Sequence, residues 1–302
     1  MKKNRIYIVS FLLVILIISA FMSNYAIKNI APYAIIKPYR AINHELNTYL
    51  REHHTRLEII TKDSINLIGY FIKSKKNIVK GTVIILHGIG DSKESQLGMA
   101  EFLSNNGYNS IIFDLRAHGE SGGKYCTYGY YEKQDVSRII DYAVNEIPNL
   151  KEIGIMGTSL GGAIAIQSMA FDKRIKCGVV VSTFSSLNQI SYDYMKRMLY
   201  VPFKFVSDLA LDEASKIAKF PANKINPKDY AKDITQPILV MHGNIDDRIN
   251  IKYGKEIFNN IKSANKEFYE IKNASHININ QAGGNKYREE ILNFFNMYLQ
   301  PK

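Results

Sequence analysis

Only two cysteines occur in 302 residues, Cys126 and Cys177, and they stand far apart in the chain. They read as two free thiols rather than a bridge, so no disulfide framework organises the fold. No Cys/His spacing of the metal-binding kind is present, and no glycine-rich loop followed by Lys-Ser/Thr, which removes the usual signatures of metal sites and phosphate cradles. Internal repeats and low-complexity tracts are missing too. Acidic residues are the scarcer charge: 28 Asp and Glu stand against 39 Lys and Arg, a formal net charge of +11. The excess does not cluster into a binding patch. Its densest group, Lys73, Lys75, Lys76 and Lys80, suits a hairpin edge and loop, where charge discourages edge pairing. No nucleic-acid motif accompanies the charge, so nucleic acid is not expected as a partner. Attraction to anionic lipid headgroups is compatible with it.

What is present is a strong alternation of strand and helix patterns. With 46% hydrophobic residues the chain can bury one large core. Apolar, β-branched runs at residues 83–86, 152–156, 178–181, 237–241 and 266–271 read as strands. Helical patterns fall at residues 93–105, 133–146, 159–171, 251–261 and 286–299. That alternation predicts an α/β fold with a mostly parallel central sheet flanked by helices. Before it, residues 56–61 and 65–74 form a two-stranded antiparallel start around Lys62-Asp63-Ser64.

The most informative stretch is Gly157-Thr158-Ser159-Leu160-Gly161. A strand pattern runs into it, and a helix with small residues on its first turn follows. A serine on a tight strand-to-helix turn is held with its hydroxyl projecting from the sheet edge. Glycines two residues before and after leave room where strand and helix nearly touch. The helix N-terminus beneath it favours a developing anion. Ser159 is therefore the candidate nucleophile.

A serine hydroxyl needs a base to take its proton, and the base needs an orienting group. The loop after residues 237–241 offers Asp246 and Asp247. The loop after residues 266–271 offers His276, the only histidine C-terminal to Asp246. His87, His118 and His242 each sit in a tight turn before or beside glycine and read as structural. His44, His53 and His54 lie in a polar stretch and read as solvated.

Four motifs carry a family resemblance: residues 86–92 (Leu-His-Gly-Ile-Gly-Asp-Ser), residues 114–123 (Asp-Leu-Arg-Ala-His-Gly-Glu-Ser-Gly-Gly), the serine turn, and residues 242–246 (His-Gly-Asn-Ile-Asp). With the chain order Ser159, Asp246, His276, the sequence resembles the α/β-hydrolases. More narrowly it resembles the lysophospholipase and prolyl-aminopeptidase-type serine hydrolases with a small helical lid. The resemblance spans roughly residues 56–302. It implies a catalytic triad of Ser159, Asp246 and His276, the acid being the carboxylate three residues after Gly243. It also implies an oxyanion hole built from the backbone amides of Ile89 and Leu160, and no cofactor or metal. An acid after residues 178–181, as in related folds, is closed off because Ser182-Thr183-Phe184-Ser185-Ser186 holds no carboxylate. Ala117 departs from the pattern, since glycine is more usual there.

The N-terminus carries a second message. Met1-Lys2-Lys3-Asn4-Arg5 is basic, and residues 6–22 are apolar except for Ser10 and Ser19. As a helix this run reaches about 26 Å, the short end of a bilayer span. It lacks a clean small-x-small cleavage site. Residues 1–27 are therefore expected to be an uncleaved signal-anchor, with Lys2, Lys3 and Arg5 keeping the N-terminus cytoplasmic and the enzyme on the outer face. Cleavage and secretion is the alternative. Residues 28–55 are expected only to approach a hydrolase domain at residues 56–302.

An insertion at about residues 186–235 is too long for a tight connection and reads as a lid. Tyr192, Tyr194, Met195, Met198, Leu199, Tyr200, Phe203 and Phe205 give it an aromatic, Met-rich character suited to an apolar acyl pocket. Asp193, Asp208, Asp212 or Glu213 would instead serve an aminopeptidase by gripping a substrate ammonium. The expected activity is cleavage of carboxylic esters, small or lipid-like, by a membrane-tethered serine hydrolase. An acyltransferase using the same acyl-enzyme and a serine aminopeptidase stand as alternatives. A non-catalytic binding protein on this fold would normally show a broken triad. Oligomeric state leaves no trace in the sequence.

Overall fold

The computed structural model describes residues 2–148, 150–200 and 202–299. Met1, where the expected anchor begins, and residues 300–302, where the expected hydrolase domain ends, lie outside the described residues. Three helices lead the chain: α1 (Lys2–Asn29), α2 (Ala31–Ile36) and α3 (His44–His53). The alternating part runs β1 (Thr55–Ile60), β2 (Asn66–Ile72), β3 (Gly81–Leu86), α4 (Leu97–Asn105), β4 (Tyr108–Phe113), α5 (Glu132–Glu146), β5 (Ile153–Thr158), α6 (Leu160–Phe171) and β6 (Ile175–Val181). The insertion holds α7 (Leu187–Leu199), α8 (Lys204–Ala218) and the short α9 (Pro227–Tyr230). The chain closes with β7 (Ile238–Gly243), α10 (Ile251–Asn260), β8 (Lys266–Ile271) and α11 (Ile279–Tyr298).

One eight-stranded sheet has the order β1-β2-β4-β3-β5-β6-β7-β8. The pairs β1/β2 and β2/β4 are antiparallel and all others are parallel. The expected architecture is thus the one that forms. Its cause is visible in β3, where alternate side chains enter opposite layers. Ile84 and Leu86 join the core beneath α5, α6 and α10, whereas Val83 and Ile85 join the core beneath α4 and α11. A strand apolar on both faces is stable only between two helical layers. Each such side chain contributes about 1.5–3 kcal/mol by leaving water.

Two helix ends differ from the sequence reading. Residues 93–96 form a 3-10 turn before α4 rather than its first turn. The last helix begins at Ile279, seven residues early, and breaks at Gly284, whose φ of 53° is non-helical. The pattern from residue 286 is the segment beyond that kink.

Residues 28–55 do more than approach the body. Pro32 and Ile36 are buried, the Cys126 amide donates to Ile36 O at 2.9 Å, and the Tyr128 hydroxyl donates to Ile35 O at 2.6 Å. The Arg40 guanidinium donates to the carbonyls of Gly119, Ser121 and Gly123. His54, expected in solvent, is half-buried. By contrast, residues 7–25 of α1 are exposed throughout, and only Ala26 and Ile27 beyond them are half-buried. A window of α1 with mean hydropathy 2.2 has none of its residues buried. Long and apolar enough to cross a membrane, this helix leaves the side chains of residues 7–25 uncovered by the protein.

Candidate active site

Ser159 stands between the end of β5 and the start of α6 with φ 56° and ψ −117°. A non-glycine residue held there is strained by roughly 1–3 kcal/mol, and neighbours must over-determine it. They do so from both sides. The Ser159 amide donates to Val181 O at 2.8 Å, and the Thr183 hydroxyl donates to Ser159 O at 2.8 Å. The flanking glycines are dictated by contact: a Cβ on Gly157 would sit 2.1 Å from Gly161 O, and one on Gly161 2.4 Å from Leu86 O. Strand and helix cross too closely for any side chain.

The loops after β7 and β8 bring the other two groups to it. His276 Nε2 lies 3.1 Å from Ser159 Oγ, and His276 Nδ1 lies 2.8 Å from Asp246 Oδ2. An ionised carboxylate can only accept, so Nδ1 carries the hydrogen and Nε2 is left to accept from the serine hydroxyl. Burial alone would raise the Asp246 carboxyl. Its bond to His276, the attraction of that ring whenever it is protonated, and the Ile249 amide outweigh that and hold it below the ordinary carboxylate range. Asp247 is exposed.

Ile89 follows Gly88 in the loop after β3 and lines the cavity beside Ser159. A Cβ on Gly88 would stand 3.6 Å from Ser159 Cβ, so this loop runs alongside the serine. Leu160 is the first residue of α6, and its amide has no partner inside the helix. Donors at these two places suit a negative charge developing on a carbonyl oxygen bound at Ser159.

The other turn histidines are tied to backbone. His87 is fully buried, its Nδ1–H donating to Gly88 O at 2.7 Å while Nε2 accepts from the Leu115 amide at 3.0 Å. His118 donates to Arg116 O, and burial with the neighbouring His87 pushes its pKa down to about 3. His242 donates to Ile249 O at 2.8 Å, and burial keeps it neutral. Below them, the buried Lys93 ammonium contacts Glu94, Asp114 and Glu120 at 2.8–2.9 Å and so stitches the 114–123 motif into the body.

A cavity of about 400 Å³ opens at Ser159 and His276, lined among others by Met99, Met156, Tyr194, Arg248 and Arg288. Of the eight apolar lid residues expected over the serine, Tyr194 alone lines it. Met198, Leu199, Tyr200, Phe203 and Phe205 face outward. The lid carboxylates are engaged elsewhere: Asp193 with the Tyr253 hydroxyl, Asp208 with Lys204 and Asn188, Asp212 and Glu213 with Lys216. No sequence motif marks Arg248 or Arg288 as site residues. The only signal for Arg248 is its place two residues after Asp246.

An eight-stranded sheet with a strained serine at the carboxyl end of a central strand, facing a histidine–carboxylate pair, defines the α/β-hydrolase class. The family model for the alpha/beta hydrolase fold matches residues 81–228. An esterase of Pyrococcus furiosus superposes with a TM-score of 0.71 at 27% identity, covering 87% of this chain and 99% of that one. The uncharacterised protein YqkD of Bacillus subtilis is 26% identical over 236 residues, 75% of each chain. The monoglyceride lipase of Saccharomyces cerevisiae is 26% identical over 256 residues, 68% of this chain and 80% of the lipase. The chain belongs to the α/β-hydrolase superfamily and is a hydrolase.

Proposed function

We propose that this chain is a membrane-anchored serine hydrolase that cleaves carboxylic esters, lipid-like ones foremost, through an acyl-enzyme on Ser159. The observation that carries the reading is the hydrogen-bonded series Ser159, His276, Asp246 at the mouth of the cavity. Ser159 Oγ attacks the ester carbonyl while His276 Nε2 takes its proton. Asp246 holds the imidazole and stabilises the imidazolium that forms. The tetrahedral oxyanion is met by the amides of Ile89 and Leu160. His276 then returns the proton to the leaving alkoxide, and the alcohol departs. Water repeats the sequence on the acyl-enzyme, releasing the acid and restoring Ser159.

In this reading residues 1–27 form the anchor, residues 56–302 the hydrolase body and residues 186–235 its lid. Lys2, Lys3 and Arg5 at the start of α1 keep that end cytoplasmic and put the body on the outer face. The lipase and esterase among the relatives support an ester substrate, and Met99 and Met156 in the cavity wall suit an apolar acyl chain. The lid carboxylates that an aminopeptidase would use each bond to another protein side chain, which favours the ester reading.

The test is a panel of p-nitrophenyl esters of rising chain length, run with and without an alcohol acceptor, on the wild type and Ser159→Ala. Turnover that rises into medium or long chains, releases free acid and disappears in Ser159→Ala is expected. Wild-type rates in Ser159→Ala would end the reading, and transfer to the alcohol in preference to water would make the chain an acyltransferase.

A further inference from the structure

Several large apolar side chains of the lid are exposed rather than packed on the body or over the serine. Where α7 turns into α8, residues 195–206 hold three basic and no acidic side chains among apolar and aromatic ones. Tyr200 ends α7 in the left-handed region, φ 55°, and the Tyr192 hydroxyl fixes the turn by donating to Pro202 O at 3.1 Å. The tip so formed exposes Met198, Leu199, Phe203 and Phe205 by more than half of each surface and Tyr200 by 86%. The Phe203 and Phe205 rings lie 6.0 Å apart and present one aromatic pair. A cluster of this kind marks a surface that is covered in use.

The occupant is indicated by what stands beside it. The apolar helix α1 packs against α2 and against lid helix α8, at the end where Ala26 and Ile27 are half-buried. The lid is therefore attached where the chain leaves its candidate membrane span. Lys196 and Arg197, with Lys204 ion-paired to Asp208, border the apolar tip, and aromatic and aliphatic side chains beside basic ones match the headgroup zone of an anionic lipid surface. The tip also reaches the site. The Arg197 guanidinium carbon lies 4.6 Å from the centre of the Tyr194 ring, and Tyr194 lines the Ser159 cavity.

We propose that the α7–α8 tip is a second, interfacial contact with the bilayer in which α1 is anchored, seated by Met198, Leu199, Tyr200, Phe203 and Phe205 in the headgroup region. The proposal rests on the reading of α1 as a membrane anchor. It turns the Tyr194 wall of the cavity toward the lipid surface, the source of an ester substrate.

The chain contains no tryptophan, so a single introduced one reports its own position. The full-length protein would be reconstituted in vesicles of phosphatidylglycerol and phosphatidylcholine, the latter brominated on the upper acyl chain or not. Four variants are compared: Tyr200→Trp and Phe203→Trp at the tip, Phe11→Trp in α1, and Ile78→Trp, which is 79% exposed in the loop between β2 and β3. Brominated lipid is expected to reduce emission about twofold or more at both tip positions and in α1, and to leave Ile78→Trp unchanged. Quenching of Phe11→Trp with none at the tip would overturn the docking surface and leave the anchor standing. No quenching of Phe11→Trp would remove the anchor and the proposal with it. Tip emission that is blue-shifted yet unquenched would mean a second copy of the chain covers the face, again overturning lipid contact.

Discussion

Asp246 holds His276 with one carboxylate oxygen and its own loop with the other. Oδ2 accepts from His276 Nδ1 at 2.8 Å, while Oδ1 accepts from the amides of Arg248 at 2.9 Å and Ile249 at 2.8 Å. The carboxylate is thereby aimed before substrate arrives. The adjacent Asp247 is exposed. Asp246→Asn is expected to lower kcat/KM by about 10³–10⁴-fold, through the wrong imidazole tautomer. Asp247→Asn should stay within about twofold. Ester kinetics on the two variants check this, and the opposite ranking would move the acid by one residue.

Gly161 and Gly98 form a matched pair for testing the crossing at the serine. A methyl on Gly161 meets the backbone oxygen of Leu86 at 2.4 Å, whereas one on Gly98 meets nothing within 4 Å. Gly161→Ala should destroy folding or activity outright. Gly98→Ala, within α4, should raise stability by about 0.5–1 kcal/mol. Thermal melting in detergent separates the two.

Ala117 occupies left-handed backbone, φ 63°, a conformation that glycine adopts without strain. Ala117→Gly relieves about 1–2 kcal/mol of strain and loses about half of that to the freer unfolded chain. A melting temperature raised by a few degrees is expected. A lowered one would show that the Ala117 methyl contributes more through packing than it strains.

His87, His118 and His242 are buried neutral, so the folded chain binds protons less readily than the unfolded one. Their pKa values are depressed in the fold; the stability they contribute is complete above the unfolded value of 6.5 and is lost as pH falls below it. For His118 the loss runs from 6.5 toward about 3, on the order of 2–3 kcal/mol by pH 4. Melting curves between pH 8 and 4 should fall steadily below 6.5, with a shallower fall in His118→Gln.

If α1 is an uncleaved anchor, the full-length chain should sediment with membranes and resist both high salt and carbonate. Removing residues 1–27 should yield a soluble enzyme that retains α2. Release by high salt alone would mean attachment through lysines, which ionic strength screens. A mature N-terminus near residue 21 or 24 would mean a cleaved signal.

Much of the site was legible because its chemistry constrains residue type at fixed places. Gly157 and Gly161 are written into the sequence by contacts of 2.1 and 2.4 Å. Histidine and acid loops follow from strand patterns at β7 and β8. Other features leave weaker traces. The periodicity of α7 and α8 says which side chains share a face but not which face meets the body, so the outward turn of Phe203 and Phe205 was invisible. The Gly283-Gly284 pair hid the first turns of α11, because a break inside a helix looks like its beginning. The role of residues 28–55 rests on Arg40 reaching carbonyls about 80 residues away, a pairing no local pattern encodes.

A single residue, Ile30, separates the end of α1 from the start of α2, and α2 is locked to the body. If α1 is the anchor, the enzyme has a stalk and no leash. A domain on a long flexible linker sweeps a hemisphere and meets its substrates in three dimensions. With α1 anchored in a bilayer, the elevation and heading of the cavity would be inherited from the tilt of one helix, and encounters would reduce to lateral diffusion in a plane. Turnover should then follow the mole fraction of substrate in the surface rather than its bulk concentration, and mixing in inert lipid should act as dilution.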